Sequence, residues 1–126
     1  MYYDLIIRIK NGLRAGQETV HAPYSNFDFA IAKFLQDKGY VGAVDKRVLG
    51  KKSIIDIALK YTNGQPAITD LRLVSKPGRR LYVGYRELQS VRQGHGMAVL
   101  STPEGVVSNK EARKKKLGGE YLFQIW

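Results

Sequence analysis

Two stretches decide the fold: SNFDFAIAKFLQDKG at residues 25–39 and SIIDIALKYTNGQP at residues 53–66. In the first, Phe27, Ala30, Ile31, Phe34 and Leu35 recur with the 3.6-residue period of a helix that has one apolar side. Ser25 offers a side-chain oxygen to the unpaired N–H groups of the first turn, and Asp28 follows three residues on. Gly39 ends the run, because glycine accepts the left-handed backbone that closes a helix. A helix over 25–38 is predicted. In the second stretch Ile55, Ile57, Leu59 and Tyr61 alternate with Asp56, Ala58 and Lys60, the two-residue period of a strand with one buried face. Asn63-Gly64 is a turn signal after it. The first half therefore reads as helices laid on a small sheet.

Upstream, Leu5, Ile6, Ile9 and Leu13 fit one side of a short helix capped by Asp4 and stopping near Asn11-Gly12. The compact run LIIRI also fits a strand; helix is the preferred reading. Gln65-Pro66 is the expected boundary between two domains, 1–65 and 66–126. Beyond it come short strand-like pieces at 71–75, 81–85, 97–100, 106–107 and 121–126. One helix stands among them, announced by Ser108 with Glu111 three residues later, the reciprocal capping box, and ended by Gly118 in the left-handed position. Glu111 and Lys115 are spaced as a favourable i,i+4 pair, while 113–116 crowd cations at the negative end of the helix dipole. The expected architecture is α+β: two small packed domains, the first with helices on a short sheet, the second mainly β with one short helix.

Among the 126 residues there are 21 Lys plus Arg against 11 Asp plus Glu, a net charge of +10. So large a surplus in a small folded chain favours polyanionic partners, nucleic acid or an anionic membrane surface. The excess is shared, ten cations against six acids through Gln65 and eleven against five after it, which suits a folded basic surface better than a disordered arm. The first residues lack the cationic lead and apolar run of a signal peptide, and no stretch approaches the ~18 apolar residues of a membrane span. Basic residues do not gather on one amphipathic helix, so a membrane partner is not expected. With no cysteine, disulfides, zinc-finger spacings and thiol nucleophiles are excluded, in keeping with a cytoplasmic chain.

Little here supports catalysis. His21 and His95 are the only histidines, and a two-histidine metal site would need carboxylates that are scattered along the chain. Gly94-His95-Gly96 lacks the context of a dinucleotide fingerprint and reads as a turn entering the Met97 strand. Ser101-Thr102 has no histidine partner downstream, so a hydroxyl contact to something polar is expected in place of nucleophilic chemistry. No catalytic residue, metal, cofactor or small-molecule substrate is therefore expected.

Two segments have the character of a nucleic-acid surface. In 75–80, Pro77-Gly78 specifies a tight turn flanked by Lys76, Arg79 and Arg80, and Tyr82 and Tyr85 follow on the next strand. Tyrosines beside cations can stack on bases while the cations meet phosphate; the same residues also fit a solvated turn with core tyrosines. In 100–105 the chain leaves a strand and bends through Pro103 and Gly105, presenting small hydroxyls of a size that enters an RNA minor groove.

Five blocks together resemble the family of the eighth protein of the small ribosomal subunit: RIKN at 8–11, the Ser25 helix ending in Lys38-Gly39-Tyr40, VSKPGRRLY at 74–82, GHGMAVLSTPEGV at 94–106, and EARKKKLGGE at 111–120. The last three, in that order and spacing, are highly specific. The resemblance implies a two-domain α/β protein that binds the central domain of small-subunit ribosomal RNA early in assembly, chiefly through its C-terminal domain. Neighbouring small-subunit proteins are implied partners, and its own messenger RNA, bound by some relatives, is a further candidate. By residue matching, the resemblance assigns base contacts to Ser101, Thr102 and Gly105, the RNA-facing surface to Tyr82, Gly118, Gly119 and Glu120, and phosphate contacts to Lys76, Arg80, Lys110 and Arg113.

Three departures stand out. Pro103 and Glu104 replace the serine and basic residue that usually follow Ser-Thr, which removes a hydroxyl and places a carboxylate near phosphate; the cations of 110–116 are the candidate compensation. The sequence begins several residues later than is usual, leaving contacts from that end unassigned, and Asn26 stands where the family often has lysine. A general basic module of nucleoid type is the alternative reading, and a small hydrolase with an unrecognised motif a third.

Overall fold

A computed structural model describes residues 2–76, 78–91 and 95–126; Pro77 of the expected tight turn and Gly94 of the glycine loop lie outside them. The chain divides into two compact units, 1–68 and 69–126. Gln65–Pro66 pairs with Tyr61–Thr62 across a turn in which Asn63 and Gly64 have φ of 53° and 78°, so the expected boundary residues sit within the first unit. The fold is α+β.

The first unit runs α1 (Tyr2–Arg14), β1 (Thr19–Pro23), α2 (Asn26–Asp37), β2 (Val41–Leu49), β3 (Lys52–Leu59), β4 (Tyr61–Thr62) and β5 (Gln65–Pro66). β1, β3 and β2 form an antiparallel sheet in that order. LIIRI is helical: Leu5, Ile6 and Ile9 are buried while Ile7 and Arg8 face solvent, a helical period that no strand produces. Asp4 lies inside the first turn, not at the cap, and pairs with Arg8 at 2.9 Å. The helix also continues past Gly12. That glycine is no stop signal; a Cβ there would stand 2.4 Å from Val20 Cγ1, so it lets α1 lie close on β1.

In α2, Ser25 Oγ accepts from Asp28 N–H at 3.1 Å, as the cap reading requires. The buried face is Asp28, Ile31, Ala32, Phe34 and Leu35, and Ala30 and Phe27 fall outside it; Phe27 instead meets Tyr2 edge-on at 5.9 Å. Burial pushes the Asp28 carboxyl above its usual range.

The outer face of this sheet carries a charged ladder. His21 of β1 lies opposite Asp56 of β3, with Nδ1 2.5 Å from Oδ1, and Arg47 Nε meets Asp56 Oδ2 at 2.9 Å. Partial burial pushes the Asp56 carboxyl up, but the hydrogen bonds and charges of His21 and Arg47 outweigh it and hold it below the usual carboxylate range. A lowered native value means that the stabilisation is present above the unfolded-state value and is lost as pH falls through the native one. Asp56→Asn is therefore expected to flatten the acid-side decline of thermal stability between about pH 5 and pH 2. Melting scans across that range check this; an unchanged profile would remove Asp56 from the acid sensitivity.

The second unit contains β6 (Leu71–Leu73), β7 (Tyr82–Val83), a single 3-10 turn (Tyr85–Glu87), β8 (Met97–Thr102), β9 (Gly105–Ser108), α3 (Asn109–Lys115) and β10 (Gly119–Ile125). The last strand is the hub: β10 pairs with β6, β7 and β8, and β8 pairs with β9, all antiparallel. Ala98, Leu100 and Val107 turn one face of the sheet onto Ala112 of α3 and onto Leu88 and Val91, with Leu117 and Tyr121 packed alongside.

Asn109, which the sequence reading passed over, fastens α3 to this core. Its Oδ1 accepts from Ala98 N–H at 3.3 Å and its Nδ2 donates to Gln89 O at 3.1 Å. Ser108 Oγ accepts from Glu111 N–H at 3.2 Å and donates to Glu111 Oε1 at 3.1 Å, so the carboxylate returns to the serine hydroxyl. The C-terminal end departs from expectation. Lys116, not Gly118, holds the left-handed conformation, with φ 57° and ψ 45°.

Candidate nucleic-acid interface

Residues directly opposite on paired strands present their side chains to the same sheet face. Tyr82 lies opposite Glu120, Glu120 opposite Ser101, and Ser101 opposite Val106, so Tyr82, Glu120 and Ser101 form one row across β7, β10 and β8. Leu100, whose side chain is in the core, precedes Ser101, so alternation directs the row away from α3. Ser101 and Glu120 are half-buried, and Tyr82 is 64% exposed. Among the described residues no hydrogen bond or ion pair engages the Ser101 hydroxyl, the Glu120 carboxylate or the Tyr82 hydroxyl. Donor, acceptor and ring therefore stand side by side with their polar groups uncommitted.

Two glycines make the row possible. A Cβ on Gly118 would stand 2.8 Å from Val83 O, and one on Gly119 would stand 2.1 Å from Ser101 O. Only chain without side chains can pass so close to both neighbouring strands. Gly105, with φ of +112°, serves otherwise: it completes the turn from β8 to β9 in a conformation that disfavours a Cβ.

Thr102 stands beside Ser101 in sequence but is differently engaged. Its Oγ1 donates to Gly105 O at 2.9 Å and accepts from Glu104 N–H at 3.2 Å, stapling the turn that contains Pro103 and Glu104. The two hydroxyls that the sequence treats alike are thus separated, one holding the loop and the other open.

The second segment is braced by a residue the sequence analysis did not single out. Ser75 is fully buried, and its Oγ accepts from Leu81 N–H at 3.0 Å, closing the base of the turn. Lys76 and Arg79 exchange backbone hydrogen bonds of 3.0 and 2.9 Å, with Gly78 at φ +84°. Tyr121 N–H donates to Leu81 O at 2.9 Å, which fixes Tyr82 beside β10. A small hydroxyl flanking a Pro-Gly turn was the available signal for Ser75.

The same unit exposes two groups of cations. Lys76, Arg79 and Arg80 are exposed at the turn, and Lys110, Arg113, Lys114, Lys115 and Lys116 are exposed on and just beyond α3. Arg113 Nη1 lies 3.5 Å from Leu88 O, whereas Lys110 and 114–116 make no ion pair among the described residues. Also among the described residues, no group of three or more His, Asp or Glu side chains is arranged to hold a metal ion, and no helix is long and apolar enough to cross a membrane.

A family model for ribosomal protein S8 matches residues 2–126. Small ribosomal subunit protein uS8 of Erythrobacter litoralis is 42% identical over 123 residues, 98% of this chain and 94% of that protein. The proteins of the same name from Zymomonas mobilis and Mycoplasmopsis agalactiae are 44% and 42% identical over the same shares. The protein is thus of the ribosomal class, structural and not enzymatic. Within that class the chain belongs to the ribosomal protein S8 family.

Proposed function

We propose that this chain is a structural constituent of the small ribosomal subunit, located on the ribosome in the cytoplasm, and that its second unit binds the central domain of small-subunit ribosomal RNA directly. The observation that carries the reading is the row Tyr82–Glu120–Ser101, with its uncommitted polar groups, in a unit that also exposes unpaired lysines on α3. Tyr82 offers a ring for base stacking, Ser101 a donor and acceptor for a 2′-hydroxyl or base edge, and Glu120 an acceptor for an exocyclic amine. Lys76, Arg80, Lys110 and Arg113 position the backbone by charge, contributing affinity without sequence information. Other small-subunit proteins are its neighbours, and a messenger RNA that presents the same structure as the ribosomal RNA site, its own included, would be a second ligand.

The test is binding of the full chain to a central-domain RNA fragment against unrelated duplex RNA at equal salt. Tighter binding to the fragment is expected; equal binding would leave a general basic module. Four phosphate contacts would give a slope of roughly −3 to −4 in log K against log salt. Ser101→Ala is expected to weaken specific binding about 5-fold with the slope unchanged, the net worth of one hydrogen bond. Lys110→Ala is expected to reduce the slope by about one unit on every RNA. Slopes that change equally in both variants would contradict this division. Thr102→Ala differs in kind, since it loosens the turn and should lower thermal stability as well.

A further inference from the structure

The three helices end in one and the same geometry. After α1, Gln17 N–H donates to Gly12 O and Gly16 N–H to Leu13 O; after α2, Tyr40 N–H donates to Leu35 O and Gly39 N–H to Gln36 O; after α3, Leu117 N–H donates to Ala112 O and Lys116 N–H to Arg113 O. In this paired capping arrangement the penultimate residue must be left-handed. Gly16 and Gly39 meet the demand at φ 69° and 82°, whereas the third position holds Lys116 at φ 57°. A residue with a Cβ is disfavoured there, and lysine has no short polar side chain to compensate.

Among the described residues nothing bonds to the Lys116 side chain to offset that cost. The Lys116 side chain is exposed and makes no hydrogen bond or ion pair among the described residues. Arg113, Lys114 and Lys115 already occupy the last turn of α3, where cations complement the helix dipole, and the dipole's effect fades beyond that turn. What lysine brings and glycine cannot is an ammonium group, placed two residues before Gly118 and four before Glu120, at the approach to the polar row.

We propose that Lys116 is an RNA phosphate contact, retained in a strained cap at the expense of the fold's own stability. The inference rests on the RNA-binding reading above. It predicts effects of opposite sign on stability and on binding.

The experiment compares full-length wild type with Lys116→Gly, Lys116→Asn and Lys116→Arg, measuring thermal midpoints and binding to the central-domain fragment over a salt series. Lys116→Gly is expected to raise the midpoint by about 4 °C. It should also weaken binding several-fold and reduce the salt slope by about one unit. Lys116→Asn, uncharged yet tolerant of the left-handed region, should lose the same binding, while Lys116→Arg keeps wild-type affinity and slope. A Lys116→Gly protein that gains stability and keeps both affinity and slope would show a merely tolerated lysine and overturn the proposal. An unchanged midpoint would overturn the strained cap. If wild type binds the fragment no better than unrelated duplex, the ribosomal RNA reading falls by itself; the change in slope on that duplex still decides whether Lys116 meets phosphate.

Discussion

Gly119→Ala is expected to destabilise the second unit by about 3 kcal/mol or more and to abolish specific RNA binding. The added Cβ would stand 2.1 Å from Ser101 O, 3.0 Å from Ser101 C and 3.2 Å from Thr102 Cα, all backbone atoms of a paired strand. No rotamer change relieves a contact with backbone. β10 must instead part from β8 where Glu120 pairs with Ser101, so stability and the polar row fail together. A melting midpoint on the order of 10 °C lower is the expected readout for a unit of this size. Gly84→Ala is the matched control: φ is −85°, nothing beyond its two chain neighbours lies within 4 Å of a Cβ there, and the unfolded chain loses freedom, so stability should hold or rise slightly. Both variants melting like wild type would mean that β10 has room to shift, and the role given to Gly119 would fall.

Tyr82→Ala is expected to weaken binding to the central-domain fragment roughly 10- to 100-fold, the worth of one base stacked on an aromatic ring. The thermal midpoint should barely move, because Tyr82 is 64% exposed. Tyr82→Phe keeps the ring and should retain most of the affinity. Wild-type affinity in Tyr82→Ala would refute stacking on the row, and a large loss in Tyr82→Phe would transfer the role to the hydroxyl. Together with Gly119→Ala the pair separates a group that meets RNA from one that only shapes the surface.

Local rules carried the sequence reading where one local cause sufficed. Ser25 and Ser108 cap their helices because a side-chain oxygen three residues before an open N–H acts within one turn. The alternation of Ile55, Ile57 and Leu59 was legible because β3 is central and regular. β2 was missed for the converse reason: its register shifts between Val41 and Val44, which breaks the two-residue period. β1 is five residues long and closes with Pro23, too little for a period to declare itself.

Glycine was where local rules misled. Gly12 and Gly118 resemble helix stops in sequence, yet both answer to another strand's approach, to Val20 in one case and to Val83 in the other. Backbone freedom and closeness of packing leave the same letter, and only tertiary contacts tell them apart. Likewise Ser101 and Thr102 are adjacent hydroxyls until the turn engages one of them.

The amino-acid sequence by itself determined the α+β class, the N-terminal caps of α2 and α3, the basic character and, through ordered blocks of residues, the family. Those are properties of composition, short spacing and inherited order. Tertiary structure alone decided that Tyr82, Glu120 and Ser101 stand in one row, that Ser101 is open where Thr102 is not, and that a lysine occupies a glycine's position after α3. Each depends on strand register or a close backbone approach, and those arise when segments far apart in the chain pack against one another.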